Sequence, residues 1–125
     1  TRAQLSKAHL RLVEVAHAAL TNSYSPYSGF KVAAAWLARD STVHFGTNYE
    51  SASYGLTTCA ERTALFQANN LGYRGQLVAL AIIAQAADGS GPLQPVTPCG
   101  ACRQLIFEAA CLSGKPIEVI CANAR

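Results

Sequence analysis

From Leu77 to Ala84 the chain is unbroken apolar sequence, Leu-Val-Ala-Leu-Ala-Ile-Ile-Ala, closed by Gln85. A strand with one wet face alternates polar and apolar residues. A short continuous run bounded by turns reads instead as a central strand covered on both faces. The bounding turns are Asn69-Asn70-Leu71-Gly72 before it and the Asp88-Gly89-Ser90-Gly91-Pro92 stretch after it. This run is the longest apolar one and falls far short of the ~20 residues a membrane helix needs.

The remaining elements supply the cover. Leu5, Ala8, Leu12, Ala16 and Ala19 recur at spacings of three and four, which predicts a helix from about Arg2 to Thr21. Phe30–Ala38 and Val43–Tyr49 read as strands joined by a hairpin at Arg39-Asp40-Ser41-Thr42. A helix from about Cys59 to Asn70 follows, with Thr57 or Thr58 as its cap. Ala87–Thr97 is a loop. A helix from Cys99 to Leu112 ends at Ser113-Gly114 and Pro116, and Ile117–Ala122 is a last strand. Strands alternating with helices imply crossovers and a sheet with helices on both faces, an α/β fold. At 125 residues, residues 1–125 form a single domain.

Two short blocks carry the chemistry, Thr58-Cys59-Ala60-Glu61-Arg62 and Pro98-Cys99-Gly100-Ala101-Cys102. Both fall at strand-to-helix junctions, where open α/β sheets collect ligands. Cys99 and Cys102, three apart at a helix start, present their sulfurs on one face. Cys59 would make a third thiolate and leave a fourth position open, the pattern of a catalytic zinc rather than a structural one. Glu61, two residues past Cys59, points elsewhere on the helix. It is a poor fourth ligand but could move protons beside the metal. Arg62 is placed to donate hydrogen bonds to the sulfurs. Two alternatives stay open: Cys111 or Cys121 closing a structural site, and a redox Cys99-x-x-Cys102 pair. Five cysteines, an odd number in a domain of this size, argue for reduced thiols and a metal, with Cys111 and Cys121 as small buried hydrophobes. His9, His17 and His44 lie away from the blocks and are read as structural.

The Cys-x-Glu and Pro-Cys-x-x-Cys blocks resemble the zinc-dependent nucleoside deaminases. Tyr24-Ser25-Pro26-Tyr27-Ser28-Gly29-Phe30 and Asn48-Tyr49-Glu50-Ser51-Ala52-Ser53-Tyr54-Gly55 narrow the resemblance to the small cytidine deaminases of the three-cysteine type. The four stretches occur in order from Tyr24 to Gln104. The resemblance implies a three-layer α/β/α sandwich with a mixed central sheet, one Zn²⁺ per subunit on Cys59, Cys99 and Cys102, and Glu61 as the catalytic acid–base. It implies hydrolytic deamination of cytidine and deoxycytidine in pyrimidine salvage, in a cytoplasmic homotetramer. Asn48 and Glu50 match the residues that bind ribose hydroxyls, and Phe30 the aromatic beside the nucleoside. The backbone of Ala60 and the carbonyl of Pro98 match base-edge contacts. Tyr54 matches a site shared between neighbouring subunits. Ala33 and Tyr49 depart from the family's usual Gly and Ile or Val. The sequence stops before the family's C-terminal strand and helix, and with no Met and a start at Thr1 its natural beginning is expected to be missing too. Competing expectations are a deaminase of another aminated nucleoside, base or nucleoside antibiotic, and a non-catalytic zinc-stabilised module.

Charge narrows the partners. The net charge of +3, with no run of Lys or Arg, argues against nucleic acid. Arg2, Lys7 and Arg11 lie along an amphipathic pattern with no apolar signal core. A soluble intracellular protein that meets a small nucleoside and no membrane is the expectation.

Overall fold

The computed structural model describes residues 4–92 and 94–124. Helix α1 (Lys7–Ala19) runs into a 3₁₀ turn at Leu20–Asn22 and is followed by strands β1 (Lys31–Ala38) and β2 (Val43–Thr47). After a 3₁₀ turn at Tyr54–Leu56 come α2 (Ala60–Asn70), β3 (Leu77–Gln85), α3 (Gly100–Ser113) and β4 (Glu118–Asn123). The sheet order is β2-β1-β3-β4. β1 is antiparallel to both β2 and β3, while β3 and β4 are parallel across the α3 crossover.

β3 occupies the predicted interval, inside the sheet. Its alternate side chains enter two cores. Ala79, Ala81 and Ile83 pack with Ala33 and Ala35 of β1 against Leu12, Val13, Ala16 and Ala19 of α1. Leu80 and Ile82 pack with Ala34 and Trp36 against Ala60, Ala64 and Ala68 of α2 and Ala109 of α3. The result is a three-layer α/β/α sandwich, with α1 on one face of a mixed sheet and α2 and α3 on the other. Fully burying a Leu or Ile contributes about 1.5–3 kcal/mol, so both layers are held by the one apolar run.

Several boundaries differ from the sequence reading. The first helix was expected from Arg2; Arg2 and Ala3 lie outside the described residues, and the helix begins at Lys7, where Ser6 Oγ accepts from the His9 N–H at 3.2 Å. A side-chain acceptor satisfies one of the helix's orphan N–H groups and fixes its start. The expected 87–97 loop includes Leu93, which also lies outside the described residues. At the other end of α3, Gly114 takes φ +72°, the left-handed conformation that ends a helix cheaply only at glycine. β4 is an edge strand, tied to α1 by His9 Nε2 to Glu118 Oε2 at 3.1 Å. Among the described residues no helix is long and apolar enough to cross a membrane.

Candidate metal centre and active-site cleft

The two cysteine blocks meet because α2 and α3 begin side by side on one face of the sheet. Cys59 is the N-cap of α2 and Cys99 the N-cap of α3, each in extended backbone conformation. The expected caps, Thr57 and Thr58, are used otherwise. Thr57 Oγ1 accepts from the Ser51 N–H. Thr58 exchanges both backbone hydrogen bonds with Tyr49 at 3.0 Å, which pins the chain one residue ahead of the helix. Cys99 likewise sits just outside its helix, with its Sγ accepting from the Cys102 N–H at 3.5 Å.

The Sγ atoms of Cys59, Cys99 and Cys102 all lie within 4.8 Å of one another. Cys59 and Cys99 are 3.8 Å apart at sulfur, far beyond a disulfide. Thiolates about 2.3 Å from a tetrahedral zinc are separated by roughly 3.8 Å, so this donor set fits zinc. Among the described residues neither Cys111 nor Cys121 joins the group, so three protein ligands are available and not four.

The three sulfurs sit in different surroundings. Both helix N-termini direct partial positive charge at the sulfurs. Arg62 Nη2 donates to Cys59 Sγ at 3.3 Å, and that bond raises the pKa of the guanidinium above its ordinary value. The Cys102 N–H, donating to Cys99 Sγ, holds the Cys99 thiol below its usual value. Cys102 is pushed the other way, first by burial and then by the neighbouring Glu61 carboxylate. A buried thiol beside a carboxylate calls for a cation, and a divalent ion between the three sulfurs would supply it.

Beside the sulfurs lies a cleft of about 320 Å³ lined by Phe30, Val32, Asn48, Thr57, Cys59, Ala60, Glu61, Ile82, Val96, Thr97 and Cys99. Glu61 is its one acidic residue and is only 6% exposed. Asn48, at the end of β2, is also buried and fully oriented. Its Oδ1 accepts from Ser23 Oγ and the Val32 N–H, and its Nδ2 donates to the Phe30 carbonyl at 2.9 Å. Glu50 lines a neighbouring cleft of about 220 Å³ with Tyr27, Ser28, Ser51, Tyr54 and Thr57. Thr57 borders both. Glu50 Oε1 accepts from the Tyr27 and Ser28 N–H groups, and Oε2 from Ser28 Oγ. Tyr54 is 81% exposed. Pro98 lies apart from this cleft; its carbonyl accepts from Arg103 Nε at 3.1 Å, and the residue lines a groove between α3 and β4.

That groove is larger, about 710 Å³, but it is an open apolar trough walled by Ile106, Phe107, Ile117 and Val119. Its charged side chains among the described residues are Arg103 and Lys115, with no acid among its walls and no member of the sulfur cluster. Sequence reasoning did not find Thr57, Val96 and Thr97 as cleft walls, nor Ser23 and Ser28 as braces for Asn48 and Glu50. The Ser-rich stretch Ser23-Tyr24-Ser25-Pro26-Tyr27-Ser28 is the signal that pointed towards the braces.

The match to the cytidine and deoxycytidylate deaminase zinc-binding region spans residues 6–113. A cytidine deaminase of Halalkalibacterium halodurans is 50% identical over 97 residues, which are 78% of this chain and 68% of the relative. A probable cytidine deaminase of Dictyostelium discoideum is 34% identical over 113 residues, 90% of this chain and 69% of the relative. Among solved structures, cytidine deaminase from Burkholderia pseudomallei superposes with a TM-score of 0.81 at 45% identity, covering 94% of this chain and 86% of the other. That from Mycobacterium tuberculosis does so with a TM-score of 0.68 at 39% identity, covering 79% and 75%. With three converging thiolates, a buried glutamate beside them and the sandwich that brings them together, these likenesses make the chain a member of the cytidine and deoxycytidylate deaminase family.

Proposed function

We propose that this protein is a cytidine deaminase that converts cytidine and deoxycytidine to uridine and deoxyuridine with release of ammonia. The observation that carries the reading is the buried Glu61 carboxylate in a nucleoside-sized cleft at the rim of the three-sulfur cluster. Cys59, Cys99 and Cys102 would hold one zinc per subunit, and when bound the ion supplies the Lewis acidity that makes water nucleophilic near neutral pH. Arg62 donates to the Cys59 sulfur and holds it in place.

Glu61 handles the protons. Water adds to C4 of the base; one of its protons passes through the Glu61 carboxylate to N3 and the other to the exocyclic amine. The C4–N bond then breaks, ammonia leaves, and the C4 oxygen becomes a carbonyl. An acid–base group held at the reacting atoms is worth about 10²–10⁴-fold. Burial away from bulk water keeps each proton on the substrate path.

The remaining residues orient the nucleoside. Asn48 and Glu50 face the ribose hydroxyls, and both are held by hydrogen bonds before substrate arrives, which lowers the cost of ordering them. Phe30 covers the nucleoside face. The Ala60 backbone, which lines the cleft, takes the base edge. Tyr54, so exposed in one chain, serves a site shared with a neighbouring subunit in a homotetramer. The setting is pyrimidine salvage in the cytoplasm.

The test is direct. Zinc-loaded protein mixed with cytidine should produce uridine and ammonia. Glu61→Gln should lower kcat by about 10²–10⁴-fold with zinc stoichiometry retained. Zinc-loaded wild-type protein that leaves cytidine untouched overturns the assignment, and equal activity in Glu61→Gln overturns the mechanism.

A further inference from the structure

One buried polar contact near the cleft serves no obvious packing purpose. Trp36, in the middle of β1 and fully buried, is the largest side chain of the inner core. Its Nε1–H donates across 25 positions of sequence to the backbone carbonyl of Glu61, at 3.2 Å. Most of its neighbours on that face are apolar, Ala34, Leu80, Ile82, Ala60, Ala64 and Ala68, with His44 as its register partner on β2. An aliphatic side chain could fill such a site, whereas an indole brings a donor that must be satisfied or costs stability. The acceptor it meets is the backbone of the residue whose carboxylate lies in the cleft.

The face of α2 gives this bond its consequence. Ala60, Ala64 and Ala68 present a smooth strip to the sheet. Side chains that small let α2 sit close on β2 at Gly46, but they interlock little, so few side-chain contacts set the rotation of the helix about its axis. Directional bonds set it instead. Thr63 Oγ1 donates to the Thr47 carbonyl at 2.8 Å and fixes one side of the first turn. The indole fixes the other side, at Glu61 itself. We propose that the Trp36 N–H is a positioning group for Glu61, setting the rotation of the first turn of α2 and with it the placement of the carboxylate against the reacting base. This rests on the deaminase reading above. Trp36 touches no substrate; it acts through Glu61.

Trp36 is the single tryptophan of the sequence. Replacing tryptophan throughout with its benzothienyl analogue therefore changes one atom group, sulfur for N–H, in a ring of nearly the same shape. Trp36→Phe is the genetic counterpart. Misplacing a catalytic group by 1 Å can cost about 10²-fold, so loss of part of that constraint should lower kcat by roughly 10-fold. KM for cytidine should stay within about twofold, because ground-state contacts are untouched. Zinc per chain should not change. In the wild type, the lone indole N–H should exchange slowly with solvent, as a buried bonded donor does.

An analogue-substituted enzyme with wild-type kcat overturns the proposal, as does a fall in thermal stability with kcat intact. Loss of zinc, or a rise in KM without a change in kcat, also overturns it, since either would mean the ring acts on the cluster or the pocket. A rapidly exchanging indole N–H does the same. If the zinc-loaded wild type fails to deaminate cytidine, the parent reading falls first, before any variant is made, so the two failures are distinguishable.

Discussion

The two helix starts that supply the sulfurs are built on opposite plans. At α2 the chain is sunk into the sheet. Ala60, Ala64 and Ala68 are fully buried, Glu61 is nearly so, and Gly46 of β2 lies so close that an added Cβ would come within 2.6 Å of the Ala64 backbone nitrogen. At α3 the chain is open. Apart from the fully buried Cys102, its first turn is exposed: Cys99 is exposed, nothing beyond the chain neighbours and the helix's own backbone comes within 4 Å of where a Gly100 Cβ would be, and further along Phe107 and Leu112 are more than 60% exposed. The closely packed start carries Glu61 and Arg62 besides one ligand. The open start carries two ligands and no acid–base group. Proton transfer depends on sub-ångström placement and needs a rigid platform. A metal ion tolerates a looser partner, because coordination itself draws the second helix start into place.

Removing the metal should break the symmetry between the two starts most visibly. On chelation, amide exchange at Cys102 and Arg103 should accelerate by about 10-fold or more, because their first turn is tied mainly through Cys99. Arg62 and Thr63, which donate to the Cys59 carbonyl beneath a packed alanine face, should change by less than about threefold. Activity should vanish with the zinc in the same titration. Equal deprotection of both helix starts would show that the ion, and not the packing, holds α2.

Paired glycine substitutions sharpen the same contrast at smaller amplitude. Gly46→Ala must displace Thr63 or the Ala64 backbone, an overpacking that costs about 1–3 kcal/mol and carries Glu61 with it. Gly100→Ala meets open space in the first turn of a helix, and should leave stability within about 1 kcal/mol of wild type, on the stabilising side. Thermal unfolding of the two variants, with kcat alongside, checks this. Equal losses would remove the distinction between the starts.

How far this contrast was legible in the sequence depends on the physics involved. β3 was readable to the residue, since an uninterrupted apolar run bounded by turns has few other uses. So were the two junctions, because cysteine spacing and helix onset coincide there. Cap identity was not. Propensity favours a threonine at Thr57 or Thr58, but Thr58 is consumed by its bridge to Tyr49 and the cap passes to Cys59. Tertiary pairing outweighed a local preference worth about 1 kcal/mol. The closeness of Gly46 to α2 and the bond from Trp36 to Glu61 are long-range facts that no local pattern encodes. Asn48 and Glu50 were singled out by resemblance alone. Nothing in their spacing announced that each braces a loop.

That bracing gives the smallest effect, and it separates the loop beside α2 from the loop ahead of α3. Glu50 joins residues more than twenty positions apart, accepting from Tyr27 and Ser28, whereas Asp88 closes a local turn by accepting from the Ser90 N–H and Oγ. Both carboxyls are held below their ordinary values, Glu50 first by the Ser28 hydroxyl and Asp88 first by the Ser90 hydroxyl. A carboxylate whose pKa is depressed by folding contributes its stabilisation in full above its unfolded pKa, and loses it as pH falls through the lower folded value. Below the ordinary carboxylate range both braces should therefore weaken, with different reach. Protonating Glu50 frees the Tyr27–Ser28 segment from the end of β2 and should raise amide exchange across that loop. Protonating Asp88 should loosen only its own turn. Glu50→Gln should reproduce the first effect at neutral pH and flatten its acid limb, while Asp88→Asn should leave the Tyr27 and Ser28 amides unchanged. A Tyr27–Ser28 segment that stays protected in Glu50→Gln would mean the loop is held by its own packing, and would bring the wall of the cleft under the same rule as the buried face of α2.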